Sequence, residues 1–378
     1  MVSSRTFIAA CVLALLPALA PAIQAETPSQ PEVEDPNDPL VVEQTIVVTA
    51  TRSEREVEGL PVSATVLERE DIEAAPAHTP DDVLRSVPGV ILPALNSRQQ
   101  VPSRNLIQMR GVGGSSVLVL LDGVPAMDPY RGTHQLTRLG MEAIERIEIV
   151  RGANASLFGN YALGGTINLI TRPVDRTGID LFSSYGSYQT SHTGARGSWL
   201  AAPEVGISFS AERFDTNGYR RVVPEIRGPI DIPFWTTHDN LRLRLDLGGS
   251  SPVRSTFHAG YTDSDVSLGT PIGTNLTEIF DLSNQGHAAL GDAAALSWSL
   301  FYQDQNGGGR NGTLNAARDT ETLRDVLDVD VRAFGGSLQW SRSVSSSLPL
   351  LSFGVDFRDA DAEDVRESYR DDVLSLTR

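Results

Sequence analysis

The second half of the chain alternates apolar and polar residues with a period of two. Leu241, Leu243, Leu245 and Leu247 are separated by charged residues, for example. Runs of this kind occupy 179–185, 205–211, 241–247, 257–261, 296–302, 329–340 and 351–357. Such alternation is typical of β-strands that are apolar on one face. After Pro173 the sequence therefore predicts about nine antiparallel strands.

The connections between these strands differ in length. Short turns are predicted around 201–204 and 248–251, and long loops at 217–238, 263–283 and 306–324. Short turns that alternate with long loops are typical of an outer-membrane β-barrel, and a soluble β-sandwich is the alternative. The alternation changes phase at Gly335–Gly336, which predicts a bulge or kink there.

Residues 60–172 have a mixed pattern. Strands are predicted at 62–67, 117–121, 144–150 and 164–171, and short helices at 71–75 and 79–86. Thr79 is the expected N-cap of the second helix, and Asp122–Gly123 is a hairpin signal. The pattern predicts a compact α+β domain of roughly 115 residues.

The N-terminus has the features of an export signal. Arg5 precedes an apolar run at 7–19, and small residues follow up to Ala25. This combination predicts a secretory signal peptide cleaved after Ala25, with Ala22 as the alternative. The run is shorter than the roughly 20 residues that cross a bilayer as a helix. Residues 26–42 are acidic and proline-rich, which predicts an extended linker.

Composition excludes several classes of function. The formal net charge of −17, from 48 acidic and 31 basic residues, argues against nucleic-acid binding. All the basic residues are arginine, so a P-loop lysine and a lysine Schiff base are excluded. Cys11 is the single cysteine. We found no catalytic or metal-binding motif, and we predict neither an enzyme nor a bound cofactor.

Residues 43–173 carry short sequence blocks in a defined order. The blocks are QTIVVTA at 44–50, DVLRSVPGV at 82–90, IQMRG at 107–111, LDGVP at 121–125, IERIEIVRG at 144–152, SLFG at 156–159 and GGTIN at 164–168. This series resembles the N-terminal part of TonB-dependent outer-membrane receptors, the bacterial importers of metal chelates. The later strands resemble the family's barrel only in their alternating pattern of apolar and polar residues.

The resemblance implies an α+β plug domain followed by antiparallel transmembrane β-barrel strands. The expected segments are a signal peptide at 1–25, a periplasmic linker at 26–42, a TonB box at 43–50, a plug at 51–173 and the N-terminal portion of the barrel at 174–378. The expected location is the outer membrane of a Gram-negative bacterium, in contact with its lipid.

The resemblance also implies a mechanism. The box pairs as an added strand with the energy-transducing protein TonB, which works with an inner-membrane complex. The box residues are Gln44, Thr45, Ile46, Val47, Val48, Thr49 and Ala50. The expected ligand is a ferric siderophore outside the cell, with cobalamin or another nutrient as the alternative. A passive porin-like barrel is the alternative from another class, although a passive pore needs neither box nor plug.

Two groups of plug residues carry further expectations. Loops 96–105 and 127–134 should face outward and contact the ligand. Their candidate contacts are Arg98, Gln99, Tyr130, Arg131 and His134. Arg110 and Arg151 match plug arginines that form ion pairs with barrel glutamates in the family.

The length of the chain leads to one more expectation. Only 378 − 173 = 205 residues follow Pro173. The family's plugged barrel has about 22 strands, and each membrane-crossing strand needs about 9–11 residues. We therefore expect a partial barrel that ends in a polar loop at 371–378, with some partners of Arg110 and Arg151 missing. A closed barrel of eight or ten strands is the alternative.

Overall fold

Two large β-sheets of different kinds make up the described part of the chain. The computed structural model describes residues 46–47, 55–56, 63–92, 98, 106–152, 159–291, 293–344, 351–370 and 373–376. The predicted signal peptide and linker lie outside these residues. The first sheet belongs to the mixed region, and the second begins at Gly178.

The first region contains nine strands and two short α-helices. The strands are β1 (Ile46–Val47), β2 (Arg55–Glu56), β3 (Ser63–Leu67), β4 (Val90–Ile91), β5 (Gln108–Met109), β6 (Val117–Leu121), β7 (Val124–Pro125), β8 (Ile144–Arg151) and β9 (Gly165–Thr171). The helices are α1 (Arg69–Ala74) and α2 (Pro80–Leu84). Five strands form one sheet in the order β3-β8-β9-β6-β7, in which only β6 and β9 run parallel. The predicted α+β class is confirmed.

The core of this region lies around its central strands. All five residues of β6 are buried, and Ile147, Ile149 and Ile167 are fully buried on β8 and β9. Residues of the two helices, such as Ile72 and Leu84, belong to the same cluster. Each such side chain contributes about 1.5–3 kcal/mol when it is fully removed from water.

Local sequence explains where the helices begin. At the start of α1 the Glu68 amide donates to the Asp71 carboxylate at 3.1 Å, half of a reciprocal capping box. The N-cap of α2 is Thr79, as predicted, and Pro80 occupies the first helical position, where a missing N–H costs nothing. Gly89, with φ of +81°, reverses the chain after this helix.

The predicted hairpin turn is present between β6 and β7. Asp122 and Gly123 both have positive φ, at 49° and 82°, which is the geometry of a type I′ turn. The Asp122 carboxylate also accepts hydrogen bonds from the Thr171 amide and the Thr171 hydroxyl, each at 2.8 Å. The turn is therefore tied to the end of β9.

The second sheet is an antiparallel meander of ten strands. They are β10 (Gly178–Gly186), β11 (Thr190–Ala202), β12 (Val205–Thr216), β13 (Thr236–Leu247), β14 (Val253–Ser267), β15 (Thr274–Ala289), β16 (Ala294–Leu314), β17 (Glu321–Arg342), β18 (Leu351–Arg370) and β19 (Val373–Leu376). Nine are long, as the alternation predicted. No pairing joins β10 to β19 in the described residues, so the sheet is an open, partial barrel.

The outward face of this sheet changes polarity along the strands. Phe209, Leu243, Ala259, Leu282, Tyr302 and Phe334 lie side by side in one row of the register, which continues to Asp359 on β18. Four residues further along each hairpin, the row reads Arg213, Asp239, Asp263, Glu278, Asn306, Asp330 and Glu363. The apolar rows match the lipid-facing band of a barrel, and the charged row lies beyond it.

Two of the three predicted long loops are strands instead. The connection between β12 and β13 is long, at 217–235, but those after β14 and β16 are only 268–273 and 315–320. At 22 residues, β17 extends about 70 Å, far beyond a hydrocarbon core of about 30 Å. The outer face of these extensions is polar because it meets water, so the sequence resembled loops.

The predicted bulge at Gly335–Gly336 is also wrong. Pairing with β16 and β18 continues through both glycines without a shift. Above the apolar band, the outward residues become charged while the inward residues Val329, Val331 and Ala333 are buried. The apolar positions therefore change faces although the strand does not change phase.

The last described segment is a strand and not the predicted loop. Val373–Leu376 pairs with β18, with Glu367 opposite Leu376. Its apolar residues alternate with Ser375 over too few positions for a clear period-two signal. No helix in the described residues is long and apolar enough to cross a membrane.

The Asp122 turn provides a test of this fold. Asp122→Ala should lower the free energy of unfolding by about 1–3 kcal/mol, because the Thr171 amide would be buried without an acceptor. Asp122→Asn should cost less, since asparagine tolerates positive φ and keeps an acceptor oxygen. Urea unfolding of the chain in detergent measures both, and equal losses would contradict this role of the side chain.

Candidate functional site

The first region presents one exposed tip beside the ten-stranded sheet. Residues 127–134 form a loop closed by a bridge between Met127 and His134. Asp128 organises the loop, since one carboxylate oxygen accepts from the amides of Tyr130 and Arg131 at 2.8 Å each. Tyr130 remains 49% exposed at the tip. The tip is held in shape and accessible at the same time.

A buried ion cluster attaches the base of this segment to the sheet. Asp281 on β15 accepts from Arg138 at 3.0 Å and from Arg242 on β13 at 2.8 and 3.1 Å. All three side chains are almost completely buried. Burial lowers the pKa of Arg138, while Asp281 opposes this effect. Two cations share one carboxylate, so each depends on Asp281 for compensation of its charge.

Strand β13 also binds the backbone of the same segment. His238 Nε2 and Asn240 Nδ2 both donate to the Thr137 carbonyl, at 2.8 and 2.7 Å. Arg242 Nε donates to the Arg138 carbonyl at 2.8 Å. Because alternate residues of a strand share one face, side chains 238, 240 and 242 meet this segment together.

Glutamine side chains extend the attachment along β16. Arg138 donates to Gln303 at 3.1 Å, and Gln303 donates to Gln135 at 3.3 Å. Gln305 donates to Asp128 at 3.0 Å and also accepts from Gln135. The first region is therefore fastened to the inner face of the sheet mainly by polar bonds.

A second buried pair lies nearer the end of the sheet that carries loop 217–235. Arg98 is 3% exposed and forms an ion pair with Glu212 on β12, which also bonds to His192 at 2.7 Å. The Arg98 guanidinium lies 4.7 Å from the centre of the Phe214 ring. Burial lowers the pKa of Arg98 to about 10, which leaves it charged near neutral pH.

Three loops at this end, which we call the rim, are bonded to one another. The rim comprises residues 217–235, 268–273 and 315–320. Arg318 donates to Asp231 at 2.8 Å, and the Ile232 amide donates to the Gly269 carbonyl at 3.0 Å. Glu321 accepts from Thr270 at 2.6 Å and from the Ile272 amide at 2.9 Å. The rim is thus one connected surface.

A cavity of about 740 Å³ separates the first region from part of the sheet. The β6–β9 face forms one side, and strands β13 to β18 form the other toward their short-turn ends. Its lining includes Leu118, Tyr161, Arg244, Ser299 and Arg358. The Arg358 guanidinium lies 5.4 Å from the centre of the Tyr161 ring across this space.

These features match one protein family. Residues 56–166 match the family described as "TonB-dependent Receptor Plug Domain". In the described residues a five-stranded sheet of the first region lies against a ten-stranded antiparallel sheet. Residues 56–166 thus form a plug domain of this family, and the chain as a whole is similar to TonB-dependent outer-membrane receptors. Proteins of this family are outer-membrane receptors and transporters, not enzymes.

Two curated relatives of this chain share a name. The vitamin B12 transporter BtuB of Photobacterium profundum is 26% identical over 86% of the chain and 54% of its own length. BtuB of Vibrio cholerae is 36% identical over 34% of the chain and 21% of its own length. The chain thus spans about half the length of the first of these relatives.

Solved structures show the same fold. The Pseudomonas aeruginosa FpvA complex with iron and a pyoverdine has a TM-score of 0.68 at 16% identity, covering 86% of this chain and 45% of FpvA. The unliganded ferric citrate transporter FecA has a TM-score of 0.66 at 17% identity, covering 83% of this chain and 50% of FecA. At such identities the likeness concerns the fold alone.

The expected ligand residues of the receptor lie in different surroundings. Tyr130 and Arg131 are at the exposed tip, as expected. Arg98 and His134 are buried: the His134 ring accepts from the Ile107 amide at 3.1 Å and bonds to the Val117 carbonyl at 2.7 Å. Both side chains make internal contacts, and their role in ligand binding stays a prediction. Gln99 lies outside the described residues.

The two motif arginines lie on the plug. Arg151 donates to the Pro88 carbonyl at 2.9 Å and to Thr65 at 2.8 Å. Burial lowers the pKa of Arg151, and the neighbouring charge of Arg110 adds to this effect. Neither arginine has an ion pair with a barrel glutamate in the described residues, so that pairing stays a prediction.

The sequence did not reveal the residues that fasten the plug. Arg138, Asp281 and Glu212 belong to no recognised block, and they meet only through the fold. One usable signal was present: charged residues such as Arg242 alternate with leucines on β13, which places them on the inner face. Among the described residues, no group of three or more His, Cys, Asp and Glu side chains is placed to hold a metal ion.

Loss of Asp281 should destabilise the receptor strongly. Asp281→Ala leaves two buried guanidinium groups without their carboxylate, and removing one partner of a buried pair costs about 3–5 kcal/mol. Denaturant unfolding in detergent measures this loss. The matched control is Asp304→Asn, which affects an exposed pair with Arg332 at 3.5 Å and should change stability by less than about 1 kcal/mol. Similar effects of the two variants would contradict the role of the cluster.

The rim should open at low pH. The hydrogen bond from Arg318 holds the pKa of Asp231 at about 2, below its ordinary 3.8. A carboxyl with a depressed folded-state pKa stabilises the fold above its unfolded pKa, and this contribution is lost as pH falls from about 4 to 2. Spin labels at positions 226 and 317 should report a wider distance distribution over that range.

Asp231→Asn should give the wide distribution already at pH 7. Asp319→Asn is its control, because Asp319 accepts only within its own loop, from Asn315 at 2.7 Å. A narrow distribution in Asp231→Asn would show that this pair does not hold the rim.

Proposed function

We propose that the receptor imports a scarce metal-containing nutrient across the outer membrane, with energy supplied through TonB. The supporting observation is the polar attachment of the plug to the barrel wall. Water can replace hydrogen bonds such as those to the Thr137 carbonyl, whereas separated apolar surfaces would stay exposed at a continuing cost. A plug attached in this way can be displaced and can return. A passive pore needs no such plug.

We propose a corrinoid such as cobalamin as the ligand. The curated relatives reported above are named vitamin B12 transporters, and one of them aligns with most of the chain. The expectation from sequence was a ferric siderophore, and the siderophore receptors among the solved structures support it only through their fold. A ferric chelate therefore serves as the comparison ligand.

The proposed partner is TonB, bound through the box at 44–50. Within this segment Ile46 and Val47 form β1, which pairs with Arg55 and Glu56. The segment is thus able to pair as an edge strand, the mode that strand addition requires. The proposed location is the outer membrane, to which a signal peptide at 1–25 would direct the protein.

The proposed route passes between plug and wall. The 740 Å³ cavity supports this route, because it already separates β6 and β9 from β15 to β18. Its wall carries small hydroxyl groups, such as the bonded pair Ser299 and Ser337 at 2.8 Å. Because this space already exists, only some of the plug contacts would have to be displaced to connect the cavity to the outside.

Uptake of labelled ligands tests the function. Cells that produce the receptor should accumulate labelled cyanocobalamin, and cells that lack its gene should not. Ferric citrate and a ferric pyoverdine are tested in parallel. Accumulation of a ferric chelate alone would replace the corrinoid by a siderophore, and accumulation that continues without TonB would contradict the energy-coupled mechanism.

The box should act through its backbone. Val47→Pro removes an amide donor and fixes φ, so it should abolish uptake while ligand still binds at the cell surface. Val47→Ala keeps the amide and should retain most uptake. Uptake measured with the proline variant at the level of the unaltered receptor would remove the box from the mechanism.

A further inference from the structure

The Arg131 guanidinium at the plug tip has no hydrogen-bonded acceptor in the described residues. Its nearest carboxylate oxygens belong to Asp128 and Asp364, at 3.9 and 3.8 Å. A charge-assisted hydrogen bond is about 2.7–2.9 Å long. The side chain is nevertheless one-quarter exposed, between two carboxylates that it does not fully engage. Its donors are therefore only loosely engaged by these carboxylates.

Tyr130 points to the same place. Its hydroxyl donates to Asp364 Oδ2 at 3.2 Å, and this oxygen is also the one nearest to Arg131. The Arg131 guanidinium lies 5.3 Å from the centre of the Tyr130 ring, within the range of a cation–π contact. A single carboxylate oxygen, supplied by β18, therefore faces both a phenol and a guanidinium of the plug.

The backbone that carries these two side chains is held by hydrogen bonds to Asp128. Asp128 is 4% exposed, and it holds the amides of residues 130 and 131 with one oxygen. Its other oxygen accepts from Gln305 on β16 at 3.0 Å. The donors of the tip are thus placed before any ligand arrives, which reduces the ordering cost of binding.

We propose that Asp364 occupies, in the resting receptor, the position of an anionic oxygen of the ligand. The site of Tyr130 and Arg131 then takes a carboxylate, a phosphate or a comparable oxyanion group, and Asp364 moves aside when that group binds. The proposal rests on the proposed function, since it assigns a ligand contact to an importer. The new element is Asp364, a side chain of the barrel wall that competes with the ligand for these donors.

The direction in which a substitution changes ligand affinity distinguishes this role from its alternatives. Neutralising a residue that binds the ligand directly lowers the affinity of the receptor, and neutralising a merely structural residue leaves it unchanged. A competing carboxylate does the opposite: it repels an incoming anion and occupies its donors, so neutralising it raises affinity. Asp364→Asn keeps the shape of the side chain and is the informative variant.

The experiment measures binding to the purified chain in detergent by calorimetry. The probes are citrate, ferric citrate and cyanocobalamin. Asp364→Asn should bind at least one of them about tenfold more tightly than the unaltered chain, which corresponds to about 1.4 kcal/mol. Adding Arg131→Gln to this variant should remove the gain, because the guanidinium is the group that is released.

Asp361→Asn is the matched control. It removes the same charge from the same strand, but Asp361 lies opposite Arg332 on the other face of β18. It should leave every affinity unchanged. Unchanged or weaker binding of all probes by Asp364→Asn would overturn the proposal, and so would an equal gain in Asp361→Asn, which would indicate a general charge effect.

The outcome is separate from that of the uptake experiment. If the receptor does not accumulate cyanocobalamin but gains anion affinity through Asp364→Asn, the proposed anion site stands and the proposed ligand is wrong. If it accumulates cyanocobalamin without any such gain, the proposed function stands and the role of Asp364 as a competitor is wrong.

Discussion

Each strand of the partial barrel has to suit two different surroundings, and the surroundings change along its length. On the outer face, an apolar band that includes Tyr302 and Phe334 is followed by a charged row that includes Asp330. On the inner face, charged residues such as Arg242 meet the plug at one level, and apolar residues such as Val331 are buried at another. The alternation of side chains is fixed by the backbone, so only the chemistry of each face can vary with height.

One consequence of this arrangement is that the plug meets a polar wall. Inward side chains of β13 bind the carbonyls of Thr137 and Arg138, Gln305 on β16 binds the Asp128 carboxylate, and Asp281 on β15 compensates two buried arginines. Burying a charge is costly unless it is paired, so this interface demands specific partners and not only shape. It fixes the orientation of the plug while leaving bonds that water can replace. Such an interface suits the reversible plug displacement that is proposed above.

The parts of the fold that were predicted correctly are those where one local signal decides the outcome. Period-two alternation identified the strands, and Asp122–Gly123 identified a turn that needs positive φ twice. The errors concern residues whose surroundings are set by distant parts of the chain. The extensions of β16 and β17 were interpreted as loops because their outer face is polar, and the apparent phase change at Gly335 had the same cause. Arg98 was expected to be exposed on an outward loop, but it is buried against Glu212, which lies 114 residues away.

A gradient of attachment runs through the segment between residues 128 and 138. At its base, the Arg138 guanidinium lies 3.0 Å from Asp281 and is almost completely buried. At its tip, the Arg131 guanidinium lies 3.8 Å or more from its nearest carboxylates and is partly exposed. Two arginines seven positions apart therefore have opposite conditions: Arg138 is buried against a carboxylate, and Arg131 lies at the surface, beyond hydrogen-bond distance of its nearest carboxylates. Because a short loop held by Asp128 joins them, a group that engages the tip acts on a segment whose other end is bonded to the barrel wall. Any displacement of the tip is then resisted at its base, so this segment links the proposed contact site to the attachment of the plug.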